Sequence, residues 1–151
     1  MLNPVATLTL AHESDILEIL AMRKEFYKID QYDFEESTQF KITKDFILNP
    51  QLGRCWIIKL EELTAGYICL TFDFSFEYGG KIAFVDELYI KPEYRKKGIG
   101  SKILPQIIEK AKTLKIMTLL LESEKHNVIA NKLYQKNGFK SNERYLLHRN
   151  L

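Results

Sequence analysis

At 151 residues, 46% of them hydrophobic and 28% charged, the chain can bury a core without staples, and it is expected to do so as one domain over residues 1–151. Its longest apolar runs, such as "WII" and "MTLLL", fall far short of the ~20 residues of a membrane helix, and its N-terminus lacks a signal-peptide pattern, so neither a membrane association nor export is expected and the location reads as cytoplasmic. Cys55 and Cys69 have no Cys-x-x-Cys or Cys/His spacing, which gives little support to a disulfide framework or a metal site; both read as buried thiols.

The net charge of +2 conceals a segregation. Residues 1–90 hold 8 Lys/Arg against 15 Asp/Glu, whereas residues 91–151 hold 14 against 5. Two dissimilar partners are implied, one cationic and one anionic. The lysines of the basic half are spread over helix faces with no DNA- or RNA-binding motif, so nucleic acid is not expected and a small polyanion stays open.

"VATLTLA" (5–11) alternates as a strand, and the next segment sets Ile16, Leu17, Ile19, Leu20 and Phe26 at helical spacing behind Ser14 as cap. Residues 45–48 read as the tail of a short second helix stopped by Pro50. Three strands follow between Arg54 and Ile90, turning at "EELTAG" and "EYGGK", with antiparallel pairing expected. An amphipathic helix is predicted from Gly100 to Leu114, kinked by Pro105, then a strand over 116–124. A helix capped by Asn127 and stopped by Gly138 comes next, and "YLLHRNL" reads as a last strand.

"YRKKGIGSKIL" places Gly98 and Gly100 behind a basic triplet, after a strand and at the start of a helix. The pair could make a plain tight turn. It could equally clear backbone N–H groups for an anion at the positive end of a helix dipole, and its position favours that use. There is neither the Gly-Lys-Ser/Thr of a P-loop nor the third glycine of a dinucleotide fingerprint, so some other diphosphate is implied.

Two segments resemble the GNAT superfamily of acyl-CoA-dependent N-acetyltransferases. "LYIKPEYRKKGIGSKIL" is similar to its strand, Pro, Arg-x-x-Gly-x-Gly and helix signature for the coenzyme A pyrophosphate. "NVIANKLYQKNGF", about 30 residues on, is similar to its Asn-x-x-Ala-x-x-Leu-Tyr segment. The match is good over residues 55–140 and holds only in element order before that. The layout resembles the spermidine/spermine N-acetyltransferase branch.

The resemblance implies an α+β fold: a mixed sheet of six to seven strands with about four helices, splayed between the strands at 84–90 and 116–123. Acetyl-CoA would be the co-substrate, with no metal. Its pantetheine would meet backbone groups of Leu88, Tyr89 and Ile90, and its pyrophosphate those of Arg95, Lys96, Lys97, Gly98, Ile99 and Gly100, with Ser101 and Asn127 as further contacts. An oxyanion would be held by an N–H near Leu88. Because an alkyl ammonium has a pKa of about 10.4, the reaction needs a proton acceptor. Asp86 and Glu87 are the candidates; strand alternation sets them on opposite faces, and Asp86 comes first, as base or as ammonium-binding group. Tyr134 matches the family's general acid for the departing thiolate, against a bland reading as core packing. His12, His126 and His148 match no catalytic position. Direct transfer to a small cationic amine is the leading expectation. A protein or peptide amine, or a non-catalytic acyl-CoA sensor, is the alternative, and a homodimer stays open.

Overall fold

The computed structural model describes residues 5–151, so the first four residues of the expected domain lie outside the described ones. Five strands form one sheet in the order β1 (Ala6–Leu10), β2 (Gly53–Leu60), β3 (Leu63–Ser75), β4 (Gly80–Ile90) and β5 (Thr118–Leu120). The first four pair antiparallel, as the alternating segments and short turns predict, and β5 lies parallel to β4. Helices α1 (Ile16–Ile29) and α2 (Glu36–Leu48) cover one face, and α3 (Ile99–Thr113) covers the other, while α4 (Val128–Lys136) follows β5.

The pleat sorts the sheet's side chains into two cores. Trp56, Ile58, Ile68, Leu70, Ala83 and Val85 meet Ile99, Ile103 and Ile107 of α3. On the opposite face Cys55, Ile57, Tyr67, Cys69 and Tyr89 meet Ile19 and Met22 of α1 together with Phe46 and Ile47 of α2. Each fully buried aliphatic side chain contributes roughly 1.5–3 kcal/mol, so the two sets fix the layers.

Several expectations need correction. The sheet has five strands rather than six to seven: residues 139–151 form no strand, and Tyr145, Leu146, Leu147 and Leu151 are exposed. Apolar alternation gives a segment strand propensity, but a strand also needs a partner edge, and β5 offers only three residues. Ser14 caps nothing; it lies inside a 3-10 turn, Glu13–Asp15, in which Asp15 accepts from the His12 N–H at 2.8 Å. The second helix is 13 residues long, because Glu35 caps it by accepting from the Ser37 and Thr38 N–H groups at 3.1 and 2.7 Å. The helix predicted around Pro105 does form, as the 15-residue α3; one turn is short of a backbone donor, and Gln106 Nε2 donates to the Lys102 carbonyl nearby at 3.0 Å.

Candidate active site

The parallel ladder of β4 and β5 covers only Ile82, Ala83 and Phe84, opposite Thr118, Leu119 and Leu120. β4 continues to Ile90, so from Val85 onward its β5 side has no partner strand among the described residues, and the end of the ladder falls where the splay between these strands is expected. At the same point the β3–β4 register slips: Cys69 faces Glu87 and Leu70 faces Val85, which leaves Asp86 as an extra residue, a β-bulge.

That bulge overturns the alternation argument. An extra residue restarts the pleat, so Asp86 and Glu87 both line one cavity on the α1/α2 face instead of pointing to opposite faces. Their surroundings nevertheless differ. Glu87 is buried and accepts four hydrogen bonds: from Arg23 Nε at 2.9 Å and Nη2 at 3.1 Å, from the Tyr27 hydroxyl at 3.0 Å and from the Tyr67 hydroxyl at 2.8 Å. Asp86 keeps solvent contact and has no hydrogen-bond partner among the described residues. Crowding by neighbouring atoms, and then the Glu87 charge, raise the Asp86 pKa above its ordinary value, while Arg23 pulls it down and Glu122 beyond β5 pushes it up slightly. A raised carboxylate is a better proton acceptor.

Sequence reasoning missed Arg23. It is buried on α1, with Nη1 donating to Thr43 Oγ1 at 3.0 Å and Nη2 to the Tyr27 hydroxyl at 2.8 Å in addition to its pair with Glu87. Burial works to lower its pKa, but the hydrogen bond and charge of Glu87 outweigh that, so the guanidinium stays charged. A signal was present: Arg23 falls three and four residues after Leu20 and Ile19, on the apolar stripe of α1, where a charge needs a buried partner.

The glycine loop has a different logic at each glycine. Gly98 adopts φ 72° with open space around it, and Lys96 shares the left-handed conformation at φ 59°. The N–H groups of Lys96, Lys97 and Gly98 find no acceptor among the described residues, and the first N–H groups of α3 add to them. This is a concave set of donors at a helix N-terminus, which fits a diphosphate. The Arg95 N–H is not part of it, being donated to the Pro92 carbonyl at 3.2 Å; the Arg95 side chain braces the loop instead, Nε donating to the Ile90 carbonyl at 2.8 Å. Gly100 has an ordinary helical φ, and its need is packing: a Cβ there would stand 2.8 Å from Leu133 Cδ2 on α4.

Gly100 therefore marks where α3, α4 and the end of β4 converge, with Ile90 Cδ1 also 3.9 Å from the Cβ position. Leu133 is the neighbour of Tyr134, whose ring packs edge-on against Phe139 at 5.9 Å and whose phenol pKa is raised by burial. The Tyr134 hydroxyl makes no hydrogen bond among the described residues. Asn127 caps α4, accepting from the Ala130 N–H at 3.2 Å. Leu88 and Ile90 pack partly buried on the α3 side, and their backbone groups face the side of β4 away from β3; Tyr89, expected to meet the pantetheine, instead has its side chain enclosed against Phe26 and Tyr67 and its carbonyl turned to β3. Ile99 is buried and Ser101 exposed. No cluster of metal-ligating side chains occurs among the described residues, and none of their helices is long and apolar enough to cross a membrane.

A splayed β4–β5 pair, a bulge at the splay and a glycine-bearing helix N-terminus beyond it define an acyltransferase-type fold, and the sequence matches the acetyltransferase (GNAT) family over residues 16–139. The chain belongs to that family. It is 26% identical over 114 residues to thialysine N-epsilon-acetyltransferase of Mus musculus, covering 67% of this chain and 64% of that protein. The chain thus spans just under two thirds of the length of that relative. Among solved structures it resembles an integron cassette protein from the mobile metagenome of Cole Harbour Salt Marsh, with TM-score 0.85 and 30% identity over 95% of this chain and 90% of the other. A predicted acetyltransferase from Clostridium acetobutylicum, solved with acetyl-CoA, shares the fold at TM-score 0.79 and 18% identity over 95% of this chain and 96% of the other.

Proposed function

We propose that the protein transfers an acetyl group from acetyl-CoA directly to the primary amine of a small cationic molecule. The observation that carries this reading is the coincidence of the splay with the bulge, since the unpaired edge of β4 begins beside the exposed carboxylate of Asp86. The name of the thialysine relatives, which specifies an ε-amine as acceptor, supports the amine class.

Acetyl-CoA, once bound, supplies the activated acyl group; the protein's part is binding, orientation and proton movement. The N–H groups from Lys96 to Gly100 hold the diphosphate, and the β5-side backbone edge of Leu88 and the Ile90 N–H offer hydrogen bonds to an amide-bearing arm, the Ile90 carbonyl being taken by Arg95 and the Tyr89 backbone facing β3. A backbone N–H near Leu88 serves the carbonyl oxygen as charge develops on it. Asp86 draws the ammonium into the site and takes its proton, freeing the nitrogen lone pair to form the C–N bond as the C–S bond breaks. Tyr134 donates a hydrogen bond or a proton to the departing sulfur; the attacking nitrogen sheds its second proton as the amide forms, and through water that proton neutralises whichever of the sulfur or the Tyr134 oxygen is left anionic. Neither cysteine has an activating base, which favours direct transfer over an acyl-enzyme.

A thiol-release assay with acetyl-CoA and a panel of amines tests this, beside calorimetry of acetyl-CoA binding. Turnover with at least one small amine is expected. Tight binding of acetyl-CoA with no turnover on any small amine or peptide would mean a sensor instead.

A further inference from the structure

Between α1, α2 and the sheet lies a slot of about 170 Å3, floored by Cys55, Cys69 and Thr71 and walled by Ile19, Phe46 and Ile47. Asp86 and the Arg23–Glu87 pair supply its charged lining. We infer that Arg23 determines acceptor specificity: by cancelling Glu87 it leaves Asp86 as the one unpaired charge of the slot, which selects a primary amine with a single ammonium and a short apolar body over a diamine or polyamine. The inference rests on reading Asp86 as the group that receives the amine, and it narrows that reading.

Three charged groups line the slot, two carboxylates and one guanidinium. Every nitrogen of the guanidinium is engaged, Nε and Nη2 with Glu87, Nη1 with Thr43 and Nη2 again with Tyr27. Both Glu87 oxygens are engaged as well, each accepting from Arg23 and from one tyrosine hydroxyl. Glu87 has no acceptor site left, and the one Nη1 N–H that Arg23 keeps is a cationic donor with nothing to offer an ammonium. A second ammonium entering the slot would lose water and gain only apolar walls, thiols and a hydroxyl, an unfavourable exchange. An alkyl body would gain instead, by roughly fourfold in affinity per buried methylene. At the ~30 Å3 that a water takes up in the liquid, the slot holds about five or six such groups, the size of a pentyl chain. Glu122 acts on Asp86 from the β5 side but does not line the slot, so it offers no partner inside.

The deciding comparison uses acetyl-CoA with n-pentylamine and 1,4-diaminobutane, which have equal numbers of heavy atoms and differ in one terminal charge. The wild-type chain should show a kcat/KM at least tenfold higher for n-pentylamine, with most of the difference in KM. In Arg23→Met the freed Glu87 can accept a second ammonium, so the preference should fall at least tenfold or reverse, while acetyl-CoA affinity stays unchanged. An equal or higher wild-type kcat/KM for 1,4-diaminobutane would overturn the inference while leaving the transfer reading intact, and this result needs no variant to fold. An Arg23→Met protein that folds yet keeps the wild-type preference would also overturn it. No turnover of either amine by a protein that acetylates another amine of the panel would overturn this inference alone, and no turnover of any amine, with acetyl-CoA bound, would overturn the transfer reading with it.

Discussion

Arg23 of α1 and Glu87 of β4, 64 residues apart in the chain, meet in a two-pronged charge-assisted contact of 2.9 and 3.1 Å that pins the helix layer to the bulged strand. Side-chain exposure is 10% for both, so either charge left alone would be buried without compensation. Arg23→Met or Glu87→Leu should each destabilise the fold by about 3–5 kcal/mol. The double variant should cost clearly less than the two losses combined, because it leaves no orphan charge. Urea denaturation of the four proteins checks this, and additive losses would show that the pair is not energetically coupled.

The glycines should separate by mechanism. Gly98→Ala places a side chain in left-handed backbone but meets no neighbour, so stability should fall by only about 1 kcal/mol while acetyl-CoA affinity falls more than tenfold. Gly100→Val should lose roughly 1–3 kcal/mol of stability by forcing Leu133 aside, and Leu133→Ala should relieve part of that loss. Thermal melts and calorimetry together distinguish the two patterns.

This division shows how much of the site the sequence carries. The glycine stretch, the three antiparallel strands and the Asn127 cap were legible because each rests on a local preference: a turn residue, an alternation, a side chain that reaches its own backbone. The bulge at Asp86 was not, since a period-2 pattern contains no mark of a skipped residue when both acids are polar. Arg23 was hidden for a related reason, as its partner lies in a distant strand. The first half of α2, "ESTQF", is polar and weakly patterned, and its helix rests on the Glu35 cap and tertiary contact. The final "YLLHRNL" shows the converse, apolar alternation without an edge to pair with.

Glu35 gives a pH signature. Hydrogen bonds from Thr38, then from Ser37, lower its pKa from 4.5 to about 2. A carboxylate depressed in the folded state stabilises it fully above the unfolded pKa, and that contribution is lost as pH falls through the folded one. The stability advantage of wild type over Glu35→Gln should therefore be constant above about pH 5 and shrink between about pH 4.5 and 2. Denaturation midpoints at a series of pH values check it; an advantage unchanged at pH 2 would mean that the cap does not depend on ionisation.

Tyr134→Phe should lower kcat by about ten- to a hundredfold, the equivalent of roughly 1.5–3 kcal/mol for a charge-assisted hydrogen bond formed mainly in the transition state. Acetyl-CoA affinity should hardly move. The loss should shrink with a thioester of lower thiol pKa, and an equal loss with both donors would reassign Tyr134 to positioning.

The most direct test of the account is the pH dependence of kcat/KM for a small amine in wild type and Asp86→Asn. Wild type should lose activity on the acid side as Asp86 takes up a proton, at a pKa above that of an ordinary aspartate, and Asp86→Asn should lose at least a hundredfold in kcat together with that acid limb. An Asp86→Asn protein with wild-type kcat and an unchanged pH profile would contradict the assignment of Asp86 as the group that takes the amine's proton.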